Sequence, residues 1–383
     1  MKMPRWRNTS RTSRTDPRAA LLARAGAVLL ALVGGTPAHA ARHAAPPPAP
    51  PPPALRYGLP AACLSHVIAA PLLTNSGSPI IPATFNDMAG LAYVSVTQDQ
   101  VGIYAPNATA FPVLSAISIQ TIAGVDTTYT TVLHDLRISN GHADDVPALI
   151  EGMQQPHLND QPVLGVIGYD ILGNYDVLFD FPARVMVLFV ASTAPGCPPL
   201  QEWLGPDSTA LPLQPDHRGR LTGISMQVGT QNTRMEIEPG ADMSSLSRKD
   251  ARALGLTAAI LHEDIHVRTN AGKILNGRRH HFDNIALGAW HDLPLDVNVE
   301  KTSYSVLGMN FLRRRRVLMA FPQGMIYMTP QADMPNDRGQ AAHGMLTTRT
   351  AIARLTDTPP APAAPMQTAP DPAPHPALQT DRK

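Results

Sequence analysis

A chain of 383 residues is long enough for two ordinary domains. Its formal net charge of +1, with 16% charged residues, gives no support to a nucleic-acid or acidic partner. A hydrophobic content of 44% suits a folded, β-rich body, and the 39 prolines gather largely near the two ends.

The first 24 residues carry Lys2, Arg5, Arg7, Arg11, Arg14, Arg18 and Arg24. An apolar run, Ala25 to Val33, and the small-residue pattern Ala38-His39-Ala40 follow. Basic region, apolar region and A-x-A site together read as a secretory leader over residues 1–40. The apolar run is too short to span a bilayer. The expectation is export to the periplasm or the medium, with an uncleaved anchor as the other outcome of the same pattern. Residues 41–59 form a Pro/Ala-rich linker whose composition favours a stiff polyproline-II spacer. Residues 331–383 are similar and are expected to be a disordered tail, either a solvated end or a contact for the cell envelope.

The two cysteines, Cys63 and Cys197, bracket the first half of the body. In an exported chain an even pair reads as a disulfide, with two buried free thiols as the bland alternative. Between these ends the pattern is short strands and turns. Ile80 to Phe85 and Leu91 to Val94 read as strands around an Asn86-Asp87 turn. Ser225 to Val228 and Arg234 to Ile237 do the same around Gly229. One helix per lobe is expected, most clearly from Arg248 to Leu254, with Ser247 as its N-cap and Gly255 ending it. Thr121-Ile122-Ala123-Gly124 and Thr269-Asn270-Ala271-Gly272 read as matching hairpin tips.

A segment recurs. Gly168-Tyr169-Asp170-Ile171-Leu172, running on to Phe181-Pro182, is matched without a gap by Gly308-Met309-Asn310-Phe311-Leu312, running on to Phe321-Pro322, 140 positions later. That period is too long for a solenoid and reads as one lobe duplicated and fused, at about 60–197 and 205–330. Asp170 and Asp180 belong to this motif and are expected to bond turn backbone.

The second lobe resembles a retropepsin-like aspartic protease domain. The resemblance rests on the strand–turn–strand Met226 to Ile237, then Glu238-Pro239-Gly240-Ala241, the helix ending Ala253-Leu254-Gly255-Leu256, the tip Thr269–Gly272 and the closing Val306 to Leu312. The first lobe looks like a weaker copy, so the expected fold is all-β: two tandem acid-protease-like barrels, each with a short helix. In that family each lobe offers a carboxylate from an Asp-Thr/Ser-Gly turn. The pair shares a proton and holds a water, because like charges that close cannot both ionise. The Thr or Ser hydroxyl braces the opposite lobe.

This chain departs from the pattern. The second lobe has Glu238 at the aspartate position and Pro239 at the hydroxyl position, with Gly240 retained. An offset of 143 places the first-lobe equivalent at Ser95, in Ser95-Val96-Thr97, where there is neither carboxylate nor glycine. Asp87 and Asp99 are the nearby acids, and Asp87 is the alternative catalytic candidate. The resemblance implies substrate binding at Gly240 and at the hairpin residues Thr121, Gly124, Thr269, Asn270 and Gly272. Two readings follow. One is a catalytically degenerate, exported, monomeric protein that binds extended peptide or envelope polymer between its lobes. The other is an aspartic-type endopeptidase working through Glu238 and a first-lobe acid.

No cofactor or metal is expected. His262, Glu263 and His266 have helix-compatible spacing, but Ile265 to Arg268 reads as a strand that would separate them. His280-His281, after Arg278-Arg279, reads as a basic turn. Arg313 to Arg316 reads as an exposed turn or, functionally, as a contact for an anionic surface.

Overall fold

Short apolar and β-branched runs, each closed by a turn residue, cannot sustain a long helix, and strands dominate the chain. The computed structural model describes residues 59–332, except 75–76, 153–156, 159 and 272, and the short segments Arg7–Asn8 and Leu55–Arg56. The expected leader, apart from Arg7–Asn8, most of the linker and the tail from residue 333 lie outside the described residues. The described residues of both lobes fall in one compact unit.

The first lobe contains β1 (Leu64–Pro71), β2 (Ile80–Phe85), β3 (Met88–Val94), β4 (Val101–Tyr104), β5 (Ala116–Thr121), β6 (Gly124–Ile138), β7 (Gly141–Glu151), β8 (Gln161–Ile167), β9 (Asp176–Asp180) and β10 (Val185–Ala191). The second contains β11 (Thr209–Pro212), β12 (Leu221–Val228), β13 (Gln231–Ile237), β14 (Ser245–Ser247), β15 (Ile265–Asn270), β16 (Ile274–Leu287), β17 (Trp290–Glu300), β18 (Val306–Leu307), β19 (Arg316–Ala320) and β20 (Met325–Met328). In the first lobe β2, β3, β8, β4, β7 and β6 pair in a closed ring. In the second, β12, β13, β18, β14, β17 and β16 close the same ring in the same order. The fold is therefore two six-stranded barrels with one topology. Closure removes free edges, and the inward side chains, such as Phe85, Leu133 and Ile103 in one lobe and Met226, Met235 and Val297 in the other, fill the barrels.

A six-stranded antiparallel sheet joins the lobes, in the order β11, β20, β19, β9, β10, β1. Its middle pair is β9 against β19, and Leu178 faces Leu318 directly. These two residues are 140 positions apart, so the duplicated closing segments meet each other across a local two-fold. Behind this sheet a separate apolar cluster, including Leu178, Phe189, Leu318 and Tyr327, is covered by Trp203 of a helical turn at Leu200–Trp203. Cys63, just before β1, is disulfide-bonded to Cys197, just after β10.

The helix Arg248–Ala253 is capped by Ser247, whose Oγ accepts from Asp250 N at 3.0 Å, and it ends before Gly255 at φ +84°. Its first-lobe counterpart is a 3-10 helix, Ala105–Ala110. A further helix, Ala258–Glu263, was not expected; it holds His262 and Glu263, while His266 sits on β15. Among the described residues no three His, Cys, Asp or Glu side chains are gathered as for a metal ion.

Two surface expectations are corrected. His280 and His281 lie in the middle of β16 rather than in a turn, held by Asp264 at 2.9 Å and Asp296 at 2.7 Å. The arginine run is not an exposed patch. Arg315 is 5% exposed, with its guanidinium 4.4 Å from the Phe311 ring centroid and 4.8 Å from that of Trp290. It donates to the carbonyls of Phe311 and Thr329, while Arg316 pairs with Asp180 at 3.1 Å. Burial lowers the Arg315 pKa to about 10.

Candidate functional site

The turns that leave β3 and β13 meet at the seam between the lobes. Their backbones are held alike. Ser95 N donates to Ile167 O at 3.1 Å and Glu238 N to Leu307 O at 3.0 Å. Gln98 O accepts from Tyr169 N at 2.7 Å, as Ala241 O does from Met309 N at 2.8 Å. Asp99 O and Asp242 O accept from Asp170 N and Asn310 N, each at 3.1 Å. Ser95 and Glu238 thus occupy equivalent positions, as do Thr97 and Gly240. The glycines that open the repeated segment allow this packing. A Cβ on Gly168 would sit 2.7 Å from Gln100 backbone, and one on Gly308 2.6 Å from Ala241 O.

At the seam Glu238 is 6% exposed, and its carboxyl reaches across into the first lobe. Oε2 accepts from Ser95 Oγ at 2.8 Å, from Thr97 N at 3.0 Å and from Thr97 Oγ1. Oε1 accepts from Gly240 N, and a Cβ on Gly240 would collide with that oxygen. Burial raises the Glu238 pKa, and the bonds from Thr97, Ser95 and Gly240 oppose the rise. The hydrogen-bond partners of this carboxyl, among the described residues, include no second carboxylate. The extra methylene of glutamate explains the geometry: it carries the carboxyl past its own turn to the donors of the opposite one. Tyr304 lies alongside, its pKa raised to about 12 by burial and by the neighbouring Glu238.

Two cross-lobe contacts stand where a bracing hydroxyl pair would be. Ser78 Oγ of the first lobe donates to Gly240 O at 2.7 Å, and Arg220 Nη1 of the second donates to the equivalent Thr97 O at 2.6 Å. Asp242 Oδ1 accepts from Ser78 N at 2.9 Å. Asp99, its counterpart, pairs with Arg218 and Arg220.

Asp87 is placed elsewhere. It is exposed in the turn between β2 and β3, eight residues before Ser95. At about 3.3 Å per residue, the strand separates the two by roughly 25 Å. Asp87 therefore does not belong to the site.

The two hairpins approach each other across the lobes. Ile122 O accepts from Ser303 N at 2.9 Å, and Gln120 Nε2 donates to Ser303 Oγ at 2.8 Å, so the first hairpin rests on the second lobe. Lys273 of the second hairpin approaches Asp126 of the first at 3.8 Å. Beneath them lies a cavity of about 270 Å3 whose lining includes Ser95, Glu238, Gly240 and Thr269. Thr121, Gly124 and Asn270 do not line it. They are the paired flanks of the turns, Thr121 with Gly124 and Asn270 with Ile274, and the hairpin residues that line the cavity are Ile122, Thr269, Ala271 and Leu275. Gly272 lies outside the described residues.

Glu151, Glu300 and Ser245, on three different strands, also line this cavity, and sequence reasoning missed them. Glu151 ends β7 and Glu300 ends β17. Burial raises the Glu151 pKa to about 7 and pushes that of Glu300 upward. Their one sequence signal is an acid after a β-branched residue, Ile150-Glu151 and Val299-Glu300, at matched strand ends. It emerges only once the barrels are aligned.

Residues 224–314, from β12 through the helical turn after β18, match the family described as gag-polyprotein putative aspartyl protease. No curated protein matches the chain. The second lobe is accordingly an aspartyl-protease-like domain of the retropepsin-like family, and the first lobe repeats its barrel ring strand for strand.

Proposed function

We propose that this chain is an exported member of the retropepsin-like group that has lost the hydrolytic pair and keeps the interlobe cleft to bind an extended peptide or envelope polymer. The observation that carries the reading is the contact between Ser95 Oγ and Glu238 Oε2 at 2.8 Å. Water activation in this family needs two carboxyls sharing a proton, one acting as base and the other as acid. Here one position is a hydroxyl, and the remaining carboxyl already accepts four hydrogen bonds from protein. A misplacement of about 1 Å in a catalytic group can itself cost on the order of 100-fold. The barrels and hairpins that would grip a chain through backbone pairing and shallow subsites persist. Export is supported by the leader pattern of residues 1–40 and by the disulfide.

The competing reading is an endopeptidase that uses Glu238 with a first-lobe acid. It is favoured by Glu151, which lines the same cavity. A labelled peptide library, assayed for binding and for cleavage from pH 4 to pH 8, separates the two. Saturable binding without turnover is expected. Cleavage that disappears in Glu238→Gln would overturn the proposal in favour of the endopeptidase.

A further inference from the structure

The central acids of the two lobes have diverged, but another pair of acids has not. In the first barrel β7 runs parallel to β4, with Glu151 opposite Tyr104. In the second β17 runs parallel to β14, with Glu300 opposite Ser247. Val101 N and Ser244 N are bonded by the equivalent side chains Asp170 and Asn310, which fixes the register of β4 against β14. That register makes Tyr104 the counterpart of Ser247, and so Glu151 the counterpart of Glu300. The same residue type stands at the same strand end in both lobes, and both carboxyls line the one cavity beneath the hairpins.

Each of these carboxyls is only half engaged. Glu151 Oε1 accepts from Gln98 Nε2, and Glu300 Oε1 from Thr269 Oγ1 at 2.6 Å. The second oxygen of each accepts no hydrogen bond among the described residues. Arg279 acts on Glu300 only through its charge, since its Nε donates to Asn298 Oδ1 at 3.0 Å, and among the described residues no cation pairs with Glu151. A further observation points to a ligand. Ser245, 5% exposed, lines the same cavity, and its buried Oγ has no hydrogen-bond partner. A buried hydroxyl without a partner and half-used carboxyls mark a place that something polar completes. A metal ion is a poor fit, because no three ligating side chains gather among the described residues. A cationic side chain on a long apolar stem suits the lining better. The lining supplies apolar surface for the stem from Ile122, Leu275 and Tyr104, and carboxyls for the head.

We infer that Glu151 and Glu300 are matched subsites for cationic side chains, so that the cleft selects an extended peptide bearing lysine or arginine on either side of its centre. This rests on the cleft being a peptide groove, as proposed above. The raised pKa values agree with it: burial dominates at both acids, opposed at Glu151 only by the bond from Gln98 and at Glu300 by the bond from Thr269 and the charge of Arg279.

The test uses fluorescein-labelled eight-residue peptides of one sequence, with lysine, arginine or norleucine at two positions and the spacing between them scanned. Anisotropy titrations against the wild type should show the best basic peptide at least tenfold tighter than its norleucine version. Glu151→Gln and Glu300→Gln each keep an acceptor for Gln98 or Thr269. Each should remove most of the preference while norleucine peptides bind as before, and thermal melts confirm that the variants are folded. If basic and norleucine peptides bind equally well, the selectivity inference fails and the groove stands. If the preference survives in both glutamine variants, these residues are not the subsites. If no peptide binds at any spacing, the groove reading itself fails, and this inference with it.

Discussion

The strongest consequence of the site is that Glu238 fastens the two lobes. Glu238→Ala removes the acceptor of four donors: Ser95 Oγ, Thr97 N, Thr97 Oγ1 and Gly240 N. A buried donor left unsatisfied costs about 1–3 kcal/mol. The two hydroxyls can rotate and the space left can admit water, so the two backbone N–H groups set the irreducible part, about 2–6 kcal/mol. Relief of the cost of burying a carboxyl, seen in its raised pKa, offsets some of this. The net expectation is a loss of about 3 kcal/mol in urea unfolding, a large share of the stability of an ordinary domain. Glu238→Gln retains an acceptor for one side only and should lose about 1–2 kcal/mol. A double-mutant cycle with Ser95→Ala should return a coupling of roughly 1 kcal/mol, because the two changes remove one shared bond. The pH dependence has a definite sign. A carboxyl whose folded pKa is raised binds its proton more tightly when folded. Its stabilising contribution is complete below the ordinary glutamate value of 4.5 and is lost as pH rises through the folded value. Wild-type stability should therefore fall from about pH 4.5 upward, and Glu238→Gln should flatten that slope. An alanine variant within 0.5 kcal/mol of wild type would refute the fastener argument.

Asp170→Asn copies what the second lobe already does at Asn310, whose Oδ1 accepts from Ser244 N at 2.7 Å. Burial raises the Asp170 pKa from 3.8 to about 7, so the change should abolish a pH-dependent loss of at most about 4 kcal/mol between those values. The readout is the difference in unfolding free energy between pH 4 and pH 8, and a variant as pH-sensitive as wild type would contradict it. Reducing the Cys63–Cys197 disulfide, which spans 134 positions, should cost about 4–5 kcal/mol in the chain-entropy account, read as a drop in melting temperature with reductant. Arg315→Lys should destabilise by about 2–3 kcal/mol, because an ammonium cannot lie flat on Phe311 and Trp290 while serving the Phe311 and Thr329 carbonyls. An unchanged melt would show that the stacking is dispensable.

The sequence exposed the parts whose cause is local. The repeated glycines, Gly168 and Gly308, are legible because a tight backbone approach tolerates nothing else, and the spacing between the copies then aligns Ser95 with Glu238. Ser247 and Gly255 mark a helix because capping is decided within a turn. What stayed hidden depends on closure. Four consecutive arginines read as a solvated turn, yet Arg315 is buried because a strand bends back and offers two rings and two carbonyls. Glu151 and Glu300 sit in long strands of mixed polarity, and only the ring pairing of each barrel reveals that both strands end at one cavity. The offset between the copies changes along the chain, from 143 at the turns to 149 at these two acids and 140 at the closing motif. A single-offset comparison therefore cannot pair them.

Both turns hold the closing segment through the same backbone bonds, at 2.7 and 2.8 Å for Tyr169 and Met309, so the backbone scaffold of the seam is the same in the two lobes. The side chains at its centre differ in a complementary way. Ser95 and Thr97 supply the first lobe with donors and no charge, while Glu238 supplies the second with acceptors and the reach to meet them. Two aspartates held that close repel each other unless they share a proton, whereas a serine and a glutamate attract at any protonation state that leaves the carboxyl an acceptor. The centre present here is a bonded one. Glu151 and Glu300 line the same cavity and are the acids that the extended chain proposed above would meet.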